Sequence, residues 1–176
     1  MLRGVNVGRH NRIKMDALRD LYASLKLRNV ESYVQSGNVV FSTEETDLSR
    51  LAARIESRIE KDFGFGPSVI LRTAAELKAV VAASPFRSLD LDPSKLLVTF
   101  LALEPQQEAR AKALLIPVDP EVLHFGTTEL YTYFPNGMAR PKLSMAQVEK
   151  TLKVRATGRN WNTVLQLLAI AEATPQ

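Results

Sequence analysis

The polar stretch near the start of the chain contains the residue types that bind anions. Arginine and asparagine side chains, together with loop amides at the start of a helix, supply the fixed donors that a phosphate or a carboxylate needs. We call residues 6–12 the first loop; its candidate ligands, with the arginine that precedes it, are Arg3, Asn6, Gly8, Arg9 and Arg12. The segment is a predicted anion site, with the plainer alternative that Gly8 only ends a strand.

A second polar segment, residues 35–38, separates two short segments rich in β-branched residues. Its sequence, Gln-Ser-Gly-Asn, is typical of a tight turn, and we call it the hairpin turn. Its candidate ligands are Gln35, Ser36 and Asn38, whose side chains donate and accept hydrogen bonds. A turn with no ligand explains the same residues, so its proximity to the first loop is what makes it a candidate.

A third segment lies before the last predicted helix, where Arg159 and Asn160 precede Trp161. The start of a helix attracts anions because the helix dipole is positive there, so Arg159 and Asn160 are candidate ligands. Trp161 is the only tryptophan and could stack on a base or a sugar. Leu165 and Leu168 share its face at helical spacing, which favours packing instead.

Several chemistries are excluded by what the sequence lacks. There is no cysteine, hence no disulfide, thiolate nucleophile or sulfur ligand for a metal. His10 and His124 are the only histidines, so a zinc site of the usual ligand set is not expected. Phosphate-loop, dinucleotide-binding and nucleophile-elbow motifs are also absent. We therefore expect neither a metal nor a cofactor.

Composition indicates a globular protein with a modest positive charge. The 176 residues are 45% hydrophobic and 24% charged, enough for a buried core. Lys and Arg number 23 against 19 Asp and Glu, a net charge of +4 that permits a polyanionic partner without requiring one. No apolar run is long enough for a membrane span, and no export signal opens the sequence, so we expect a cytoplasmic protein with no membrane partner.

Apolar spacing predicts an α+β fold. The first half has the order strand, helix, strand, strand, helix, strand, which is typical of a ferredoxin-like unit; its predicted strands are residues 2–7, 30–35, 38–42 and 67–72. In that topology the hairpin returns between two parallel strands. The end of the first strand, the hairpin turn and the entry to the fourth strand, near Gly64 and Gly66, are then expected at one edge of the sheet.

The second half repeats this order without its fourth strand. Residues 157–160 are interpreted as a connection into a final helix at residues 161–173. The predicted fold is therefore two tandem ferredoxin-like subdomains, at residues 1–86 and 87–176, the second incomplete and ending in a C-terminal helix.

Three segments of the chain resemble a bacterial family known as domain of unknown function 1697; they are LRGVNVG at residues 2–8, YVQSGNVVF at 33–41 and RNWNTV at 159–164. The resemblance implies a two-unit α+β fold and a cytoplasmic bacterial protein, and it implies no established activity. Arg9-His10 stands where the family usually has Gly-Lys. Ser84 stands where the family often has Asn.

The leading functional hypothesis is a noncatalytic binding protein for a phosphate-bearing ligand, a nucleotide or a nucleic acid. The central strands lack the paired aromatic residues with which RNA-recognition modules stack bases. An enzyme acting on a small anionic substrate is the alternative, with Arg3, Arg12 or Arg159 holding the anion and His10 moving protons. A third hypothesis is a homodimer, in which exposed sheet surfaces pair two chains.

Overall fold

A computed structural model describes residues 1–8, 10–87, 89–139 and 141–175. The chain divides into two units, unit 1 with Met1–Ala74 and Leu167–Gln176, and unit 2 with Ala75–Gln166. The sequence predicts the boundary after residue 86, whereas the structure assigns most of helix α3 (Ala74–Ala82) to unit 2. The Tyr131 hydroxyl donates to the Val80 carbonyl over 2.8 Å, which ties α3 to the sheet of that unit. Within the described ranges, no helix is long and apolar enough to cross a membrane.

Unit 1 is built on two helices and a hairpin that the sequence predicts; they are α1 (Met15–Ser24), β1 (Arg28–Tyr33), β2 (Asn38–Ser42) and α2 (Leu48–Phe63). Asp47 begins α2 by accepting a hydrogen bond from the Arg50 amide over 2.9 Å. The apolar stripe of α2 is fully buried, and it joins α1 and the hairpin in one core; its members are Leu51, Ile55 and Ile59.

The predicted outer strands of unit 1, at residues 2–7 and 67–72, are wrong. They reduce to one antiparallel bridge between Leu2 and Val69, flanked by backbone hydrogen bonds of 2.9 Å from Arg3 to Ser68 and from Ile70 to Met1. The reason lies in the residues after Arg3. Gly4, Asn6 and Gly8 have φ values of +66°, +57° and +64°, which an extended strand cannot contain.

Unit 2 holds a four-stranded antiparallel sheet in the order β4-β5-β3-β6. After a short 3₁₀ turn at Pro93–Lys95, its elements are β3 (Leu96–Leu101), α4 (Gln107–Ala113), β4 (Val122–Phe125), β5 (Glu129–Tyr133), α5 (Met145–Leu152) and β6 (Ala156–Asn160). The order is strand, helix, strand, strand, helix, strand. Helix α6 (Trp161–Ala173) follows β6 directly and has the predicted bounds.

The prediction that the second subdomain lacks its last strand is therefore wrong. β6 occupies the segment interpreted as a connection, and it pairs with β3 from Leu97–Asn160 to Leu101–Ala156. Its residues include glycine and asparagine, which disfavour strands locally, so pairing with β3 overrides the local preference. Gly158 fits this pairing closely, because a Cβ there would lie 3.3 Å from Leu97 Cδ1.

One face of the unit 2 sheet contains two buried threonine hydroxyls. The register pairs Leu97 with Thr132 and Thr99 with Leu130, so both threonines lie on the same face. Both are buried, and in the described part of the chain neither hydroxyl has a hydrogen-bond partner. A buried polar group without a partner costs about 1–3 kcal/mol.

We expect Thr99→Val and Thr132→Val each to raise the free energy of unfolding by about 1 kcal/mol, because each removes an unpaired hydroxyl and keeps the β-branched shape. Urea unfolding measures the change. Thr157→Val is the matched control, because the Thr157 hydroxyl accepts a 2.8 Å hydrogen bond from Arg159. This variant should lose stability. A loss of stability in all three variants would contradict the interpretation.

Candidate functional site

The side chain of Asn6 ties the two ends of the first loop to the hairpin turn. Its Nδ2 donates to the carbonyl oxygens of Ile13, over 2.9 Å, and Gln35, over 2.8 Å. Its Oδ1 accepts from the Ile13 amide over 2.9 Å. Ile13 is itself buried in the unit 1 core, so the far end of the loop is anchored. The predicted contact between the first loop and the hairpin turn is confirmed.

The backbone of this segment alternates in handedness. Gly4, Asn6 and Gly8, at every second position, have positive φ values, and Asn11 has a φ of +53°. Left-handed residues that alternate with ordinary ones turn successive N–H groups toward one concave side, an arrangement that binds anions. The Asn6 amide donates to Asn11 over 3.1 Å. Among the described residues, no acceptor is found for the N–H groups of Val7 and Gly8.

Some predicted ligands of the hairpin turn stabilise the turn itself through hydrogen bonds. Asn38 is fully buried, and its Nδ2 donates to Ser36 Oγ over 2.9 Å and to the Tyr33 carbonyl over 3.3 Å. Gly37 accepts a 2.9 Å bond from the Leu2 amide, and a Cβ at Gly37 would lie 2.8 Å from Leu2 Cβ. Only glycine fits this approach. Gln35 alone of the predicted ligands in this turn is exposed.

The exposed surface around the first loop is positively charged; its described cationic or titratable members are Arg3, His10, Arg12 and Lys14. Arg12 Nη2 donates to the Gly8 carbonyl over 3.3 Å, which places the guanidinium across the loop. Asp16, the acidic residue in the first turn of α1, is held in an ion pair with Arg19. Arg9, also a predicted ligand, lies outside the described residues.

Two exposed valines complete this surface, and no pattern in the sequence points to them. Val7 is 70% exposed and follows Asn6, while Val34 is 51% exposed and precedes Gln35. The alternation of residues 30–35 predicts a strand that includes Val34. Val34 has instead a φ of +50° between β1 and the hairpin turn. We define the first-loop surface as the exposed side chains of Arg3, Val7, His10, Arg12, Val34 and Gln35.

Arg159, the third predicted location, lies on β6 in unit 2. It is 7% exposed, and its Nη1 donates to Thr157 Oγ1 over 2.8 Å and to the Gly158 carbonyl over 2.7 Å. Burial lowers the pKa of Arg159 to about 10, so the guanidinium stays charged at pH 7. The buried cation thus has acceptors within its own strand, and its role as an anion ligand stays a prediction.

Asn160 connects β6 to α6. Its Nδ2 donates to the Ser94 carbonyl over 2.9 Å, and its Oδ1 accepts from the Asn162 amide over 3.0 Å. The second bond satisfies one of the free amides in the first turn of α6. Trp161 is 9% exposed and belongs to the buried core, which confirms its predicted packing role.

A groove of about 400 Å³ lies at the other end of α1; it is lined by Leu25, Lys26, Leu27, Arg28, Thr43, Glu44, Glu45 and Arg54. Arg28 pairs with Glu44 over 3.1 Å. Glu45 accepts from the Asp47 amide over 3.2 Å, and Arg54 donates to the Leu25 carbonyl over 3.4 Å. Several charged side chains of the groove are therefore paired with groups of the protein itself. None of the predicted site residues lines the groove. In the part of the chain that the structure describes, no three His, Cys, Asp or Glu residues are grouped to hold a metal ion.

We expect Asn6→Gly to lower the free energy of unfolding of unit 1 by about 2–4 kcal/mol, because glycine keeps the left-handed backbone and loses three hydrogen bonds. Asn6→Ala should lose about 1–2 kcal/mol more, since alanine is strained at positive φ. Urea unfolding measures both variants.

Asn11→Gly is the control for these variants. It also keeps a left-handed backbone, and it removes one long bond of 3.4 Å to the Gly4 carbonyl. Asn11→Gly should lower the free energy of unfolding by less than about 1 kcal/mol. Equal losses for Asn6→Gly and Asn11→Gly would contradict the assignment of Asn6 as the residue that holds the loop.

Comparisons with known proteins give a family and a fold. The conserved bacterial protein SP0830 from Streptococcus pneumoniae is similar in structure, with a TM-score of 0.69 and 26% identity over 97% of this chain and 96% of that chain. A search among curated proteins found no match. Residues 1–131 match the family described as "Protein of unknown function (DUF1697)". That match covers most of the chain, and the resemblance seen in the sequence is confirmed. The chain belongs to the DUF1697 family of proteins of unknown function.

Proposed function

We propose that this protein is a noncatalytic binding protein for a phosphate-bearing ligand, a nucleotide or a nucleic acid, and that it binds this ligand at the first-loop surface. The main support is that the Asn6 side chain makes three hydrogen bonds, two that it donates and one that it accepts. They hold a loop with a guanidinium, Arg12, and two backbone N–H groups without acceptors among the described residues, those of Val7 and Gly8.

The chemistry of these groups suits a phosphate. A guanidinium donates charge-assisted hydrogen bonds to phosphate oxygens, and backbone N–H groups in an alternating left-handed segment add fixed donors. Because Asn6 already orders the loop, less conformational entropy is lost on binding. The exposed Arg3 and Gln35 flank the segment and are proposed ligands, while Asn6, Ser36 and Asn38 are proposed to position them.

The enzyme alternative is less well supported. It requires His10 to exchange protons next to a bound anion. His10 is exposed and, among the described residues, has no hydrogen-bond partner that would orient its ring. A general acid or base needs a fixed orientation toward the reacting group. Binding without catalysis needs only the donors already named.

We infer two tandem ferredoxin-like subdomains in a cytoplasmic protein. Unit 2 supports this inference because it has the order strand, helix, strand, strand, helix, strand in one antiparallel sheet. Unit 1 has the same order with its outer strands reduced to one bridge, between Leu2 and Val69.

We expect Arg12→Gln to weaken binding of ATP and of a labelled single-stranded oligonucleotide by about tenfold at low salt, because it removes one charge-assisted contact. Fluorescence anisotropy measures the affinity for the oligonucleotide, and calorimetry measures the affinity for ATP. For the oligonucleotide, the slope of log affinity against log salt should fall by about one.

Arg50→Gln is the matched control. Arg50 is an exposed arginine in the first turn of α2. Helix α2 follows β2, at the end of that strand opposite to the hairpin turn. Arg50→Gln should leave the affinity unchanged, because it removes one positive charge at a position distant from the first loop. Equal effects of the two variants would contradict the site. No binding of nucleotides or of single- or double-stranded nucleic acid at low salt would contradict the function, and light scattering on the same samples would then test the homodimer.

A further inference from the structure

Val34 has a backbone conformation that valine rarely adopts. Its φ is +50°, in the left-handed region, where a β-branched side chain is strained. The residue is 51% exposed, so it contributes little to the core. Asparagine or glycine at this position would fit the backbone with less strain. Exposed strain of this kind points to a role outside folding.

Val7 and Val34 flank the hydrogen bond that joins the first loop to the hairpin turn. Asn6 Nδ2 donates to the Gln35 carbonyl over 2.8 Å, and each valine is the chain neighbour of one of these two residues. Val7 is 70% exposed. The first-loop surface therefore combines exposed apolar side chains with the guanidinium groups of Arg3 and Arg12.

This combination is unsuited to inorganic phosphate, which offers nothing for an apolar side chain to contact. Ligand sites usually pair a few polar groups with apolar walls that contact the organic part of the ligand. An unpaired nucleobase presents such a part, a flat face of low polarity joined through a sugar to a phosphate. Bases in a duplex have their faces covered by their neighbours.

We propose that Val7 and Val34 contact the face of an unpaired nucleobase whose phosphate is held by the first loop. This inference rests on the proposed function and names its ligand class, a base, sugar and phosphate in one unit. Such a unit comes from a free nucleotide or from a single strand of nucleic acid. Double-stranded nucleic acid is excluded as the preferred ligand.

Calorimetry at low salt with AMP, ribose 5-phosphate and inorganic phosphate tests the proposal. We expect the wild-type protein to bind AMP about tenfold more tightly than ribose 5-phosphate, because only AMP carries the base. Val7→Ser and Val34→Asn should remove this difference by lowering the affinity for AMP more than the affinity for ribose 5-phosphate. Val34→Asn should at the same time raise the urea midpoint of unfolding, since asparagine tolerates the left-handed backbone.

Val122→Asn is the matched control. Val122 is 47% exposed on β4 in unit 2, and its replacement should leave the preference for AMP unchanged. A single-stranded oligonucleotide that binds more tightly than AMP would identify nucleic acid as the source of the base, and weaker binding would identify the free nucleotide. Both results require the preference for AMP over ribose 5-phosphate and support the proposal.

Two outcomes would overturn the inference and leave the proposed function standing. One is that the wild-type protein binds AMP and ribose 5-phosphate equally well and that Val34→Asn changes neither affinity. The other is tighter binding of a duplex than of a single strand. Failure of the wild-type protein to bind any of the phosphate compounds or oligonucleotides would overturn both the inference and the proposed function.

Discussion

One side chain, that of Asn6, ties the two ends of the first loop to the hairpin turn. Its amide makes three hydrogen bonds, two of them to Ile13 and the third to Gln35. Ile13 is buried in the core of unit 1, and Gln35 belongs to the hairpin turn. One polar side chain therefore links the core, the loop and the turn. Because these bonds fix both ends of the loop, the Val7 amide can keep its orientation although no acceptor is found for it among the described residues.

The elements that local sequence determines were predictable, and those that depend on distant pairing were not. Helices α1, α2 and α6 follow from apolar spacing, and the cap at Asp47 follows from its carboxylate. β6 was missed because its residues resemble a turn and become a strand only beside β3. The first strand was overpredicted because residues 2–7 are rich in valine and leucine, while the left-handed Gly4 and Asn6 end the pairing.

The candidate site was predictable in location and only partly in detail. The first loop and the hairpin turn are in contact through the bond from Asn6 to Gln35, although the outer strands from which this was expected are reduced to one bridge. Which polar residues support the backbone and which face solvent depends on backbone direction, which composition does not reveal. Asn38 and Asn160 are used to hold turns and a helix start, whereas Arg12 and Gln35 are exposed. Val34 could not have been selected, because its type predicts a strand and its left-handed φ is set by the turn that follows.

If the first loop binds phosphate, amide chemical shifts recorded during a titration with AMP will reveal it. We expect saturable shifts in the amide signals of Val7 and Gly8 and in the side-chain signals of Arg12, with the signals of α2 unmoved. The same shifts should weaken as salt is raised, because the contacts are between charges. Shifts confined to another surface, or no shifts at millimolar AMP in low salt, would show that the first loop is not the phosphate site.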